Sequence, residues 1–145
     1  MGIAARIRSA LIGEAAELPE EIAARYPELC HARWRRGGLP PRIGGWPLGA
    51  STVAGITLWR TIWLAPDTPW EPELLLHELR HVHQFASSTT FPLRYIWQTM
   101  WRGYRANAYE VDAREYAARR LRCGQAHSSG EDPTWSSTPR HPSSP

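Results

Sequence analysis

The sequence predicts an α+β fold that is mostly helical and carries one small β-sheet. Three observations predict it. Apolar residues recur at three- and four-residue steps through much of the chain. Residues 52–65 alternate with a period of two instead. Helix-opening residues stand before several of the helical stretches. The chain has 145 residues, 42% hydrophobic and 21% charged, which suits one core of ordinary size and excludes a disordered or membrane-embedded composition.

Taken in order, Ile3, Ile7, Leu11, Ala15 and Leu18 form a helical stripe that ends at Pro19. Pro19 suits the first position of a second helix through Ile22 and Ala23 towards Tyr26, and Pro27 breaks it. The run Arg33-Trp34-Arg35-Arg36 is the densest basic cluster and reads as a solvated face. Residues 37–49 hold five glycines and three prolines and read as a loop. In residues 52–65, Thr57, Trp59, Thr61 and Trp63 alternate with Ile56, Leu58, Ile62 and Leu64, which predicts one strand with a bulge or bend at Ala54-Gly55.

Thr68-Pro69-Trp70-Glu71 has the pattern of a capping box and predicts the start of a helix that fades near residues 87–90. Pro92 opens a Trp-rich helix reaching about Gly103. Asn107 followed by Glu110 repeats the capping pattern, and Gly124 supplies a stop, so a last helix is expected over residues 108–123. Residues 126–145 are rich in Ser, Pro, Gly and Thr and read as a disordered tail. The expected organisation is a helical and loop extension over residues 1–51, a core over 52–125 and the tail.

The totals narrow the partners. All 17 basic residues are arginine, a compositional bias, and the net charge of +3 is too small to demand a polyanion, so no nucleic acid is expected. Cys30 and Cys123 have no CxxC partner and read as thiols of a reducing compartment. The apolar stretch at residues 56–64 is far short of a membrane span, and no secretory signal is visible. A soluble, cytoplasmic protein is expected.

The chemistry concentrates in His77-Glu78-Leu79-Arg80-His81. Two histidines four apart on a helix point within about 40° of each other, so both imidazoles reach one ion. Zinc accepts neutral imidazole nitrogen, and the glutamate after the first histidine can act as base for a water. On a helical wheel Gln84 shares the ligand face, where it can hold a ligand, bond a substrate or stay exposed. Glu78 falls among Leu74, Leu75, Leu79, Val82, Phe85 and Ala86, an apolar arc that is costly for a carboxylate without a polar partner. On the last helix Glu110 shares a face with Ala113, Ala117 and Leu121, whereas Asp112 points to the opposite, solvated side. Glu110 is the expected third ligand, with completion of the Asn107 cap as its other reading. His83 points away from the ligands, and His31, His127 and His141 stand in loop or tail contexts.

HExxH at residues 77–81 followed by Glu110-Val111-Asp112-Ala113 in a helix resembles the gluzincin metallopeptidases, closest in size to the compact minigluzincins. The resemblance covers residues 52 to about 123. It implies a zincin-like fold with a small sheet above an HExxH active-site helix and a C-terminal glutamate helix. It also implies Zn2+ on His77, His81 and Glu110, Glu78 as general base, and a peptide or protein substrate paired with an edge strand at residues 56–64. Arg114 stands where the family often has an aspartate that orients a ligand histidine. Tyr104 and Tyr109 are candidates for steadying an oxyanion or for the core. The tail, with Trp135 and His141, is a candidate to occupy the cleft. The same residues would also serve a non-catalytic, zinc-stabilised binding module.

Overall fold

The computed structural model describes residues 2–45 and 53–128. The expected tail from 129 onwards lies outside the described residues. Helix α1 (Ile3–Ile12) stops earlier than the apolar stripe predicts. Gly13 takes φ of 68°, a left-handed conformation open to glycine, and a β-carbon there would come within 2.5 Å of the Arg36 carbonyl oxygen. Strand pairing then overrides helical periodicity, because β1 (Glu14–Ala15) pairs antiparallel with β2 (Arg33–Arg36). Between them lie α2 (Glu20–Arg25), which follows Pro19 as its N-cap, and a 3-10 turn at Pro27–His31.

The basic run is therefore an interior strand of the sheet and not a solvated face. Trp34 is buried, and its indole donates to the Leu29 carbonyl at 3.0 Å. The neighbouring arginines spend their donors on backbone: Arg35 on Ile12 and Gly13, Arg36 on Pro66 and Thr68. Arg36 also lies 4.5 Å over the Trp70 ring, a cation–π contact. Part of the glycine- and proline-rich stretch read as loop is a short helix, α3 (Pro40–Gly45), since paired prolines suit a first turn.

The single strand expected at residues 52–65 is a tight hairpin, β3 (Gly55–Leu58) and β4 (Thr61–Leu64). Trp59 makes the turn with φ of 53°, unusual for a residue with a side chain. The strand order is β1-β2-β4-β3, with β2 and β4 parallel, so β3 is an outer edge. The segment expected as a helical and loop extension thus supplies two of the four strands.

Helix α4 (Pro72–Ser87) begins after the expected capping box. Glu71 is its N-cap without a side-chain bond, and the Thr68 hydroxyl donates to the Ala54 carbonyl at 3.1 Å, tying the loop to the start of β3. Helices α5 (Phe91–Arg102) and α6 (Ala108–Ser128) complete the chain as far as it is described. Asn107 caps α6 as expected, its side-chain oxygen accepting from the Tyr109 N–H at 3.0 Å. Gly124 does not stop the helix. A β-carbon there would meet the Tyr26 hydroxyl at 3.0 Å, so this glycine lets α6 pass close to Tyr26.

Leu75, Leu76, Leu79 and Val82 of α4 form the core with Ile62, Leu64, Trp34, Tyr26, Leu29 and Ala117. Each large apolar side chain buried there stabilises the fold by about 2 kcal/mol. Ala113 and Ala117 are fully buried, which brings α6 close to α4. Among the described residues no helix is long and apolar enough to cross a membrane.

Gly13→Ala should destabilise the protein by about 2 kcal/mol, through a strained φ and the collision with Arg36. Gly2→Ala, with open space around it, should be nearly neutral. Urea midpoints of the two variants check this; equal midpoints would contradict it.

Candidate metal centre

The α4–α6 contact carries the polar cluster. His77 and His81 project from α4, and Glu110 projects inward from the first turn of α6 instead of outward to complete its cap. The two imidazole Nε2 atoms are 3.2 Å apart. His81 Nε2 lies 3.1 Å from Glu110 Oε1, and His77 Nε2 lies 3.3 Å from Oε2. A tetrahedral ion with bonds of about 2.0–2.1 Å has ligand atoms about 3.3–3.4 Å apart, in the range of the His77–His81 separation and of the distance from each histidine to its own Glu110 oxygen.

Glu110 is 1% exposed, and its buried Oε2, 3.3 Å from His77 Nε2, accepts no well-aligned hydrogen bond. A buried carboxylate oxygen left bare costs several kcal/mol. A cation between the three side chains removes that cost. Burial alone would raise the Glu110 pKa, but hydrogen bonding with His77 and His81, the charge of His81 and the Tyr95 hydroxyl hold it well below the usual carboxylate range. Burial likewise opposes charge on His81, yet bonding to Glu110 and the charge of Glu78 raise its pKa on balance.

One side chain fixes the tautomer of His81. Gln84 donates its amide N–H groups to the Tyr109 carbonyl at 3.1 Å and to Asp112 Oδ2 at 2.8 Å. Its oxygen is therefore the atom that faces His81 Nδ1, at 2.8 Å. In the neutral ring Nδ1 then carries the proton and Nε2 is the atom that could ligate a metal, whereas without a metal the protonated ring donates from Nε2 to Glu110. Asp112, expected on a solvated side, is instead part of this chain, because Arg80 and Gln84 are long enough to reach it. Arg80 grips it at 2.7 and 3.2 Å. Arg114, at the position where an orienting aspartate would stand, bonds the Arg105 carbonyl and comes no closer than 3.9 Å to Glu110.

Glu78 is buried, as its apolar arc implies. The Thr57 hydroxyl of β3 donates to Glu78 Oε2 at 2.6 Å. A β-carbon on Gly55 would lie 2.8 Å from Glu78 Oε1, so glycine at the start of β3 makes room for the carboxylate and is not a bulge. Tyr95 of α5, missed in the sequence, donates to Glu110 Oε1 at 2.7 Å. Burial, with the charge of Glu110, pushes both the Tyr95 and the Tyr104 hydroxyls above the ordinary phenol range, so both stay protonated donors. Tyr109 is half-buried and packs edge-on against Phe91, 4.9 Å between ring centres. Spacing hid Tyr95, since nothing in the sequence marks which face of α5 meets α6.

His83 meets the Tyr116 ring edge-on and stays apart from the cluster. Cys30 and Cys123 are exposed and form no disulfide. No family model matches this chain, and neither a curated protein nor a solved structure matches it.

The shifts set a pH window. The depressed Glu110 pKa contributes stability that is present above about 4.5, its ordinary value, and is lost as pH falls through the folded value. The raised His81 pKa contributes stability that is present below 6.5 and is lost as pH rises through the folded value. With chelator present, the contribution of this pair should peak between about pH 4.5 and 6.5. Melting temperatures measured across pH should show that hump in the wild type and lose it in Glu110→Gln; identical profiles would contradict the coupling.

Proposed function

We propose that this protein is a compact zinc metallopeptidase of the gluzincin type, hydrolysing peptide bonds with Glu78 as general base. The observation that carries the reading is the convergence of His77, His81 and Glu110, whose ligand atoms lie within 4.8 Å of one another around a carboxylate that is 1% exposed. Two further features support it. Gln84 fixes the tautomer of His81 that a metal ligand needs. A second buried carboxylate, Glu78, is held beside the free edge of β3.

A zinc ion on these three side chains supplies Lewis-acid polarisation of a carbonyl and makes a water acidic near neutral pH. The chain's own residues do the rest. An extended peptide adds to the outer edge of β3, which places its backbone above α4. Glu78, held by Thr57, takes a proton from the attacking water and passes it to the leaving amine as the C–N bond breaks. The Tyr95 and Tyr104 hydroxyls remain donors throughout. Tyr95 steadies Glu110, and the more exposed Tyr104 takes the role of donor to the negative charge on the carbonyl oxygen.

Elemental analysis and peptide-library turnover test this reading. The wild type should bind zinc and cleave peptides. His77→Ala should lose the ion. Glu78→Gln should keep it while hydrolysis falls about 10²–10⁴-fold. Unchanged turnover in Glu78→Gln would overturn the mechanism, and zinc without any turnover would leave the metal as a clamp for a binding module.

Gln84→Leu should weaken zinc about 10–100-fold, because His81 loses the partner that fixes its tautomer. Competition against a chromophoric chelator measures it; unaltered affinity would remove Gln84 from the centre.

A further inference from the structure

Helix α5 presents an apolar stripe outward. Leu93, Ile96, Trp97, Met100 and Trp101 are between 56% and 80% exposed. At about 100° per residue they span one continuous arc of about 140°. Trp97 and Trp101 stack with ring centres 6.0 Å and ring planes 9° apart, so the two indoles pack together on the stripe. The opposite side of the helix is spoken for: Phe91 is buried, Tyr95 bonds Glu110, and Thr99 receives a hydrogen bond from Asn107.

The charges on the helix and just beyond its end are all of one sign. Arg94 lies at its rim, about 20° round the helix from Trp101. Arg102 ends the helix, and Arg105 lies just beyond Gly103. All three are exposed, and no guanidinium among them has an ion pair or hydrogen bond among the described residues. Residues 91–105 contain no aspartate or glutamate.

That combination discriminates between occupants. A second copy docking stripe to stripe would press arginines against arginines with no carboxylate on the helix to meet them. A surface of anionic phospholipid neutralises them while the tryptophans enter the headgroup region, where indole rings are favoured. We propose that α5 is a membrane-surface docking helix, which lies flat on anionic phospholipid with its Leu–Ile–Trp–Met stripe inserted and its arginines on lipid phosphates. It attaches from one side and spans nothing. The inference stands apart from the metal centre, since it requires binding and not turnover.

Co-sedimentation of the full chain with vesicles tests it. Vesicles of phosphatidylcholine with about 30% phosphatidylglycerol should bind the protein, and pure phosphatidylcholine should bind it far less. Raising salt from low to physiological should weaken the binding. Arg94→Gln should reduce partitioning about fivefold. Trp97→Ala with Trp101→Ala should reduce it by about tenfold or more. Circular dichroism should be unchanged in these variants, because the residues are exposed. No binding to the anionic vesicles overturns the proposal. So does full binding by the double tryptophan variant, which would place the contact on another face. A lipid-free dimer in sedimentation equilibrium that Trp97→Ala dissolves would make the stripe a contact between copies, and the proposal would fall.

Discussion

Glu110 is a carboxylate almost wholly removed from water, and the packing of α4 against α6 is built around it. A charge at that depth is stable only where every neighbour compensates it, and here the neighbours are two imidazoles and a phenol. The small side chains on the same stripe of α6 let the helix come near enough for that to happen. Larger residues at Ala113 or Ala117 would hold the helices apart and leave the charge exposed or stranded. Burial of the charge and closeness of the helices are therefore one constraint seen from two sides.

The same constraint explains the arrangement of donors around the cluster. Gln84, Asp112 and Arg80 form a polar chain from the surface to His81, with the proton position set at the inner end by the orientation of one amide. Arg80 at 34% and Asp112 at 37% side-chain exposure are screened by water, so their ion pair contributes little stability by itself. Its consequence is directional. Asp112 holds the amide nitrogen of Gln84, which leaves only the amide oxygen for His81. On the other side of the centre Thr57 and Gly55 act together on Glu78, one as donor and the other by having no side chain.

Much of this is legible in the sequence where the signal is local. The His77-Glu78-x-x-His81 spacing on a helix, the apolar arc around Glu78, the inward face of Glu110 and the cap at Asn107 all depend on one helix at a time. Features that depend on partners are not legible in that way. Asp112 reads as solvated because its own helix says so, while the side chains that reach it start on α4. Tyr95 carries no motif, and only the crossing of α5 and α6 makes it a neighbour of Glu110. The early end of α1 requires strand pairing across about twenty residues to overrule helical periodicity. The basic run at Arg33 to Arg36 is an interior strand because its arginines find backbone carbonyls instead of water. The hairpin hides inside an uninterrupted alternation because Trp59 turns without a glycine.

Helix α5 serves two surfaces at once. Phe91 is its only buried residue, and its inner side is held by ring contacts of Phe91 and Tyr95 with His81, Phe85 and Tyr109 together with hydrogen bonds through Tyr95, Asn107 and Gln98. A helix anchored by the hydrophobic effect would turn its leucine, isoleucine and tryptophans inward. This one turns them out and places polar contacts within the fold, the reverse of what stability alone selects. Its hydrogen bonds go to Glu110, to Asn107, which caps the Glu110 helix, and to the Ala108 N–H beside it. One helix thus presents its apolar stripe outward while its inner side steadies the buried carboxylate.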